Sequence, residues 1–195
     1  TVTYHSEKWS LRTVEGDVQQ DVGEIHLANL PWSARVEDCG PGDARRHPPI
    51  KVDARKGDRG RLLIVGGGPY HGAPILAGLA AERSGCDLVH LAMPSEAIER
   101  AEWPLSLIPE DLPDTTHITT RSVAAILDRV LNGRGCQAVL IGPGLGRESE
   151  SIEAVCDLIE RLVEANVPLV IDADAIRALP SHEWPAGMVG VVTPH

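Results

Sequence analysis

GRLLIVGGGPYHGAPILAGLA, residues Gly60 to Ala80, decides how the chain is read. Leu62 to Val65 are four consecutive apolar residues, the pattern of a strand buried on both faces of a parallel sheet. Gly66, Gly67 and Gly68 follow, and there the backbone can approach a ligand closely because no Cβ intervenes. After Pro69, Tyr70 and His71, the small pair Gly72 and Ala73 leads into a helix at Pro74, whose missing N–H costs nothing in a first turn. A strand, a glycine turn and a helix N-terminus in this order form a site for anionic or phosphate-bearing ligands, because unpaired amides and the positive end of the helix dipole converge there. An ordinary tight turn between strand and helix is the alternative reading of this stretch by itself.

The same logic recurs downstream. Asp87–Met93 reads as a second apolar strand, Ser95 as the cap of a helix Glu96–Arg100, and His117–Thr120 as a third strand. Ser122–Leu131 carries Val123, Ile126, Leu127 and Val130 at helical spacing. The buried strand Ala138–Ile141 stops at GPGLG, Gly142 to Gly146, before a long helix Ser149–Ala165. Val167–Ile171 is a further strand ending in Asp172, Ala173 and Asp174. Carboxylates at that position can hold Mg²⁺ or a donor hydroxyl, or simply cap the following helix, Ala175–Leu179. Gly190–Val192 is the last strand, followed by Thr193, Pro194 and His195.

Strands alternating with helices predict an α/β fold with a mostly parallel sheet and helices on both faces. Parallel strands present their C-terminal ends at one edge. The predicted crevice is therefore built from four strand ends, Gly66–Ala73, Gly142–Gly146, Asp172–Asp174 and Thr193–His195. Lys56, Gly57 and Asp58, just before the opening strand, read as a solvated turn or a phosphate contact. A dinucleotide-binding GxGxxG does not occur, since position 71 is His and the third glycine comes one residue late.

The N-terminal part reads differently. Thr1–Tyr4 and Glu24–Leu30 alternate as short strands, while residues 31–49 shift to Pro, Gly, Arg and Asp. A domain boundary is expected near His47, giving a segment 1–46 and a domain 47–195. The whole chain has 195 residues, 43% apolar and 24% charged, a soluble globular composition. Its net charge of -10 argues against nucleic acid as a partner. No run is long enough for a membrane span and no basic-then-apolar leader opens the chain, so the cytoplasm is expected. Cys39, Cys86, Cys136 and Cys156 lie too far apart for a CxxC site and read as reduced thiols.

The series KGDRGRLLIVGGGPYHGAP, IGPGLGR, PLVIDADAIRAL and VVTPH, in that order over residues 55–195, resembles the ADP- or ATP-dependent NAD(P)H-hydrate dehydratases, which have a ribokinase-like fold. Residues 1–46, with TVTYHSEKWSL and VGEIHLANL, resemble the closing segment of the NAD(P)H-hydrate epimerase domain that precedes the dehydratase in bifunctional repair enzymes. The resemblance implies a lyase that uses ADP or ATP, with Mg²⁺, to phosphorylate the C6 hydroxyl of hydrated NADH or NADPH and eliminate phosphate. Epimerase activity, with K⁺, is implied for the preceding domain, and a homo-oligomer is expected.

The resemblance further implies that Ala73, Gly144 or Gly146, and His195 contact the hydrated nicotinamide nucleotide. Gly66, Gly67, Gly68 and Gly72 would face the nucleotide phosphates, with Asp172 and Asp174 near the phosphates or the ribose. The family pattern continues after TPH with a Gly-Glu segment and a GGTGD motif that carries the expected base. Neither occurs in this chain, and Arg177 stands where the family commonly has Asn. The expectation is a piece of a longer bifunctional protein, inactive as it stands. A ribokinase-like kinase of a small alcohol and a non-catalytic nucleotide-binding subunit are the alternatives.

Overall fold

The computed structural model describes residues 2–4, 26–28, 52–180 and 185–194. The chain divides into two units after Pro49. In the first, strands β1 (Val2–Tyr4) and β2 (His26–Ala28) pair in parallel, with Thr3 opposite Leu27.

The second unit alternates strand and helix. Its elements are β3 (Arg61–Val65), α1 (Gly72–Arg83), β4 (Leu88–Pro94), α2 (Ser95–Glu99), β5 (Leu107–Leu112) and α3 (Thr120–Leu131), then β6 (Ala138–Ile141), α4 (Ser149–Glu164), β7 (Leu169–Asp172), a 3₁₀ turn (Ala173–Ala178) and β8 (Gly190–Thr193). The six strands pair in parallel throughout, in the order β5-β4-β3-β6-β7-β8. The chain winds outward from β3 to β5, returns to β6 beside β3, and winds outward again to β8. This order reverses between β3 and β6, the switch point at which ligands bind in open α/β sheets.

Each face of the sheet has its own core. Leu63 and Val65 face Val123, Ile126 and Val130 of α3 and Ala154, Leu158 and Leu162 of α4. Ile64, Leu91 and Met93 join Leu107 and Ala97, with Ile75 and Leu79 of α1 packed against them. Alternate residues of one strand thus enter opposite cores, which is why β3 reads as an unbroken apolar run. Burial of Leu63, Ile64 and Val65 stabilises by roughly 1.5–3 kcal/mol per side chain.

Three sequence expectations are corrected. Residues 117–119 are not a strand; they lead into α3, where the Thr119 side chain accepts from the Arg121 amide at 3.3 Å as an N-cap. The strand that pairs with β4 is β5, Leu107–Leu112. Its sequence, LIPEDL, hides it: β5 is an edge strand, where Pro is allowed and acidic side chains can reach water. Ser95 does not cap α2 but is its first residue, and the helix expected at Ala175–Leu179 is the 3₁₀ turn Ala173–Ala178, with no side-chain cap from either aspartate.

Candidate functional site

The loops after β3, β6 and β7 meet at one rim. The Gly67 amide donates to the Pro143 carbonyl at 3.0 Å and the Gly142 amide to the Val65 carbonyl at 3.0 Å. Two glycines explain how the loops come so close. A Cβ on Gly66 would stand 2.3 Å from the Pro143 oxygen, and one on Gly144, at φ +69°, would stand 2.0 Å from the Tyr70 oxygen. Neither contact admits a side chain, and the second also needs the left-handed backbone that glycine adopts without cost. Gly68 lies by the Leu145 carbonyl and Gly146 by the Pro69 ring.

Gly72 and Ala73 are exposed in the first turn of α1. Space for a Cβ at Gly72 is open, with nothing within 4 Å. Pro74 sits in the same turn, where amides have no intrahelical partner. The exposed amides of this turn border the packed glycine loops, since Pro74 touches the positions of both Gly66 and Gly144.

Acid enters the rim from β7. Asp172 ends that strand and its Oδ1 accepts from the Thr193 hydroxyl at 2.7 Å, which joins the ends of β7 and β8. Ala173 is held at φ +47°, a conformation that costs a residue with a Cβ roughly 1–2 kcal/mol. That turn sets Asp174 toward the loop after β6, where its Oδ1 lies 3.5 Å from Arg147 Nε and 4.0 Å from Arg177 Nε. Asp172 and Asp174 are both half-buried, and carboxylate oxygens are the ligand type that Mg²⁺ takes together with phosphate and water. Among the described residues no group of three or more His, Cys, Asp or Glu could hold a metal ion by itself.

The structure therefore gathers Gly66, Gly67, Gly68, Gly144, Gly146, Asp172 and Asp174 at one rim, with Gly72 and Ala73 bordering it. His195 lies outside the described residues. Lys56 and Asp58 lie before β3, at the opposite edge of the sheet; the Asp58 carboxylate there accepts the Arg55 amide at 2.8 Å and closes a local turn. Two side chains at the rim escaped the sequence reading. Arg100, just past α2, donates to the Gly68 carbonyl, and His117 Nε2 lies 3.0 Å from Glu150 Oε2 at the start of α4. No spacing signals either one, because both come from stretches that read as solvated surface.

Two glycine loops and two aspartates gathered at the switch-point rim place the chain in the class of open α/β proteins, whose ligands bind at this edge of the sheet. Within that class, the model of the NAD(P)H-hydrate dehydratase family matches residues 62–195, and the chain belongs to that family. The whole chain aligns with the bifunctional NAD(P)H-hydrate repair enzyme Nnr of Hyperthermus butylicus at 43% identity, covering 36% of that protein. An ATP-dependent (S)-NAD(P)H-hydrate dehydratase of Ixodes scapularis is 38% identical over 66% of the chain and 39% of its own length. Among solved structures, the ADP/ATP-dependent NAD(P)H-hydrate dehydratase of Bacillus subtilis, co-crystallized with ATP/Mg²⁺, is similar at TM-score 0.55 and 26% identity, over 76% of this chain and 48% of that one. The fold and these likenesses bear out the mostly parallel α/β class and the dehydratase family expected from the sequence. The chain spans between a third and two fifths of the length of these two curated relatives.

Proposed function

We propose that the protein repairs hydrated NADH or NADPH by nucleotide-dependent dehydration at the switch-point rim. One observation carries the reading: the loops after β3, β6 and β7, each bearing a family motif, touch one another at a single edge. In this scheme the C6 hydroxyl of the hydrate attacks the terminal phosphorus of ATP or ADP, forming the new O–P bond as the bridging O–P bond breaks. Phosphate then leaves C6, expelled by the lone pair of the ring nitrogen, and loss of the C5 proton restores the dihydropyridine. The transfer needs positioned donors more than covalent help. Gly66, Gly67, Gly68 and Gly72 supply rigid backbone to the phosphates, while Ala73, Gly144, Gly146 and His195 bound the nicotinamide nucleotide. Asp172 and Asp174 orient the ribose or the nucleotide-borne Mg²⁺, which when bound would offset phosphate charge.

We further assign residues 1–46 to an epimerase-like domain, with K⁺ as the ion of that part, and 47–195 to the dehydratase. The likeness to bifunctional Nnr proteins along the whole chain supports this assignment. A cytoplasmic homo-oligomer completes the proposal; Cys86, Cys136 and Cys156 are free thiols, as a reducing compartment requires. Supplying the full-length protein with hydrated NADH and ATP tests the reading. Recovery of nicotinamide absorbance supports it, and phosphorylation of a free alcohol without recovery favours a small-alcohol kinase.

A further inference from the structure

We propose that Arg100 is a positioning residue for the glycine loop after β3. Its guanidinium donates to the Gly68 carbonyl through one terminal nitrogen and to the Glu96 carbonyl through Nε at 3.0 Å. The planar fork therefore joins the first turn of α2 to the loop that borders the switch point, and a rigid fork holds two acceptors in fixed relation. Among the described residues no other side chain donates to a carbonyl of Gly66, Gly67 or Gly68.

The Gly68 backbone that Arg100 holds is closely bounded by two other loops. A Cβ on Gly68 would stand 3.0 Å from the Leu145 oxygen and 3.4 Å from the Thr116 oxygen, so the loops after β5 and β6 both close on this glycine. A charge-assisted hydrogen bond from the guanidinium to the Gly68 oxygen fixes that backbone more firmly than a neutral donor would. The other arginine of this rim placed by the loop after β6, Arg147, is turned to Asp174. With Arg100 in place, the Gly66 amide stays on the Ala92 carbonyl at 3.2 Å and the Gly67 amide on the Pro143 carbonyl at 3.0 Å. The inference rests on reading this rim as the substrate site, and it adds the element that holds the rim in register.

The test compares Arg100→Met and Arg100→Lys with wild type in the full-length protein. Steady-state kinetics with hydrated NADH and ATP, thermal unfolding, and amide exchange at residues 66–68 are the readouts. For Arg100→Met, kcat/KM should fall roughly ten- to a hundredfold, exchange at Gly66 and Gly67 should quicken, and the unfolding midpoint should hardly move. Arg100→Lys should recover part of the loss, because it keeps the charge without the fork. Unchanged kcat/KM and exchange in an active background would overturn the proposal. So would loss of activity that tracks global unfolding in both variants. Should wild type show no nucleotide-dependent recovery, the functional reading fails, and exchange at Gly66 and Gly67 still decides whether Arg100 holds the loop.

Discussion

Gly144 packs against Tyr70 so closely that a Cβ there would meet the Tyr70 oxygen at 2.0 Å. Gly144→Ala adds both that clash and a strained φ, and it should destabilise the fold by on the order of 3 kcal/mol. Gly72→Ala is the matched control, since nothing lies within 4 Å of its missing Cβ. Its unfolding free energy should stay within about 0.5 kcal/mol of wild type. Denaturant midpoints measure both changes; equal effects would contradict the loop contact.

Asp114, 4% exposed, accepts the Thr119 amide and hydroxyl at 2.8 Å each, and the Ser122 hydroxyl. Burial works to raise its carboxyl, but the hydrogen bonds from Ser122 and Thr119 outweigh it and hold the pKa below the usual aspartate value. The folded state therefore takes up this proton later than the unfolded chain. Its contribution is present above the ordinary carboxylate range, about pH 4, and is lost as pH falls below it. Asp114→Ala, which strands three donors, should cost roughly 2–3 kcal/mol at neutral pH, and the variant should show a flatter acid limb in its stability profile.

His90 sits in a buried polar group on β4, 5% exposed. One tautomer satisfies it: Nδ1–H donates to Glu110 Oε1 at 2.7 Å, while Nε2 accepts from Arg129 at 2.7 Å. Burial, with help from the charges of Arg129 and Arg61, lowers its pKa against the opposing pull of Glu110. The unfolded chain then binds this proton first, so stability is whole above the ordinary imidazole value of about 6.5 and declines as pH falls through it. Unfolding free energy between pH 7.5 and 5.5, values bracketing about 6.5, should change less in His90→Gln than in wild type.

Asp172→Asn keeps an oxygen for Thr193 and removes only the charge, so the contact at 2.7 Å survives. The unfolding midpoint should be unchanged. Nucleotide-dependent turnover should fall roughly tenfold or more if this carboxylate orients phosphate or ribose, as removal of one electrostatic partner does elsewhere. Full activity in this variant would remove Asp172 from the site.

The sequence makes the centre of the fold legible and leaves its margins obscure. β3 and β6 lie inside the sheet, so their residues are apolar on both faces and end abruptly in glycine, and both signals survive in one dimension. β5 lies at an edge and tolerates Pro109, Glu110 and Asp111, which erase the strand pattern. The glycines and aspartates gathered at the rim are legible because a close backbone approach and a strand-end charge each demand a residue type. Arg100 was not, since its partner is a carbonyl 32 positions away in sequence, and a backbone oxygen leaves no trace in composition. Ala173 was missed for the opposite reason: its positive φ is imposed on a residue that does not advertise it.

On the proposed function, this rim holds a nucleotide against a hydrated nicotinamide. The most direct measurement is the absorbance of the nicotinamide band when the full-length protein meets hydrated NADH with and without ATP or ADP and Mg²⁺. Recovery should need the nucleotide and release one phosphate for each NADH regained. Nucleotide consumption without recovery, or recovery that ignores the nucleotide, would contradict the proposal.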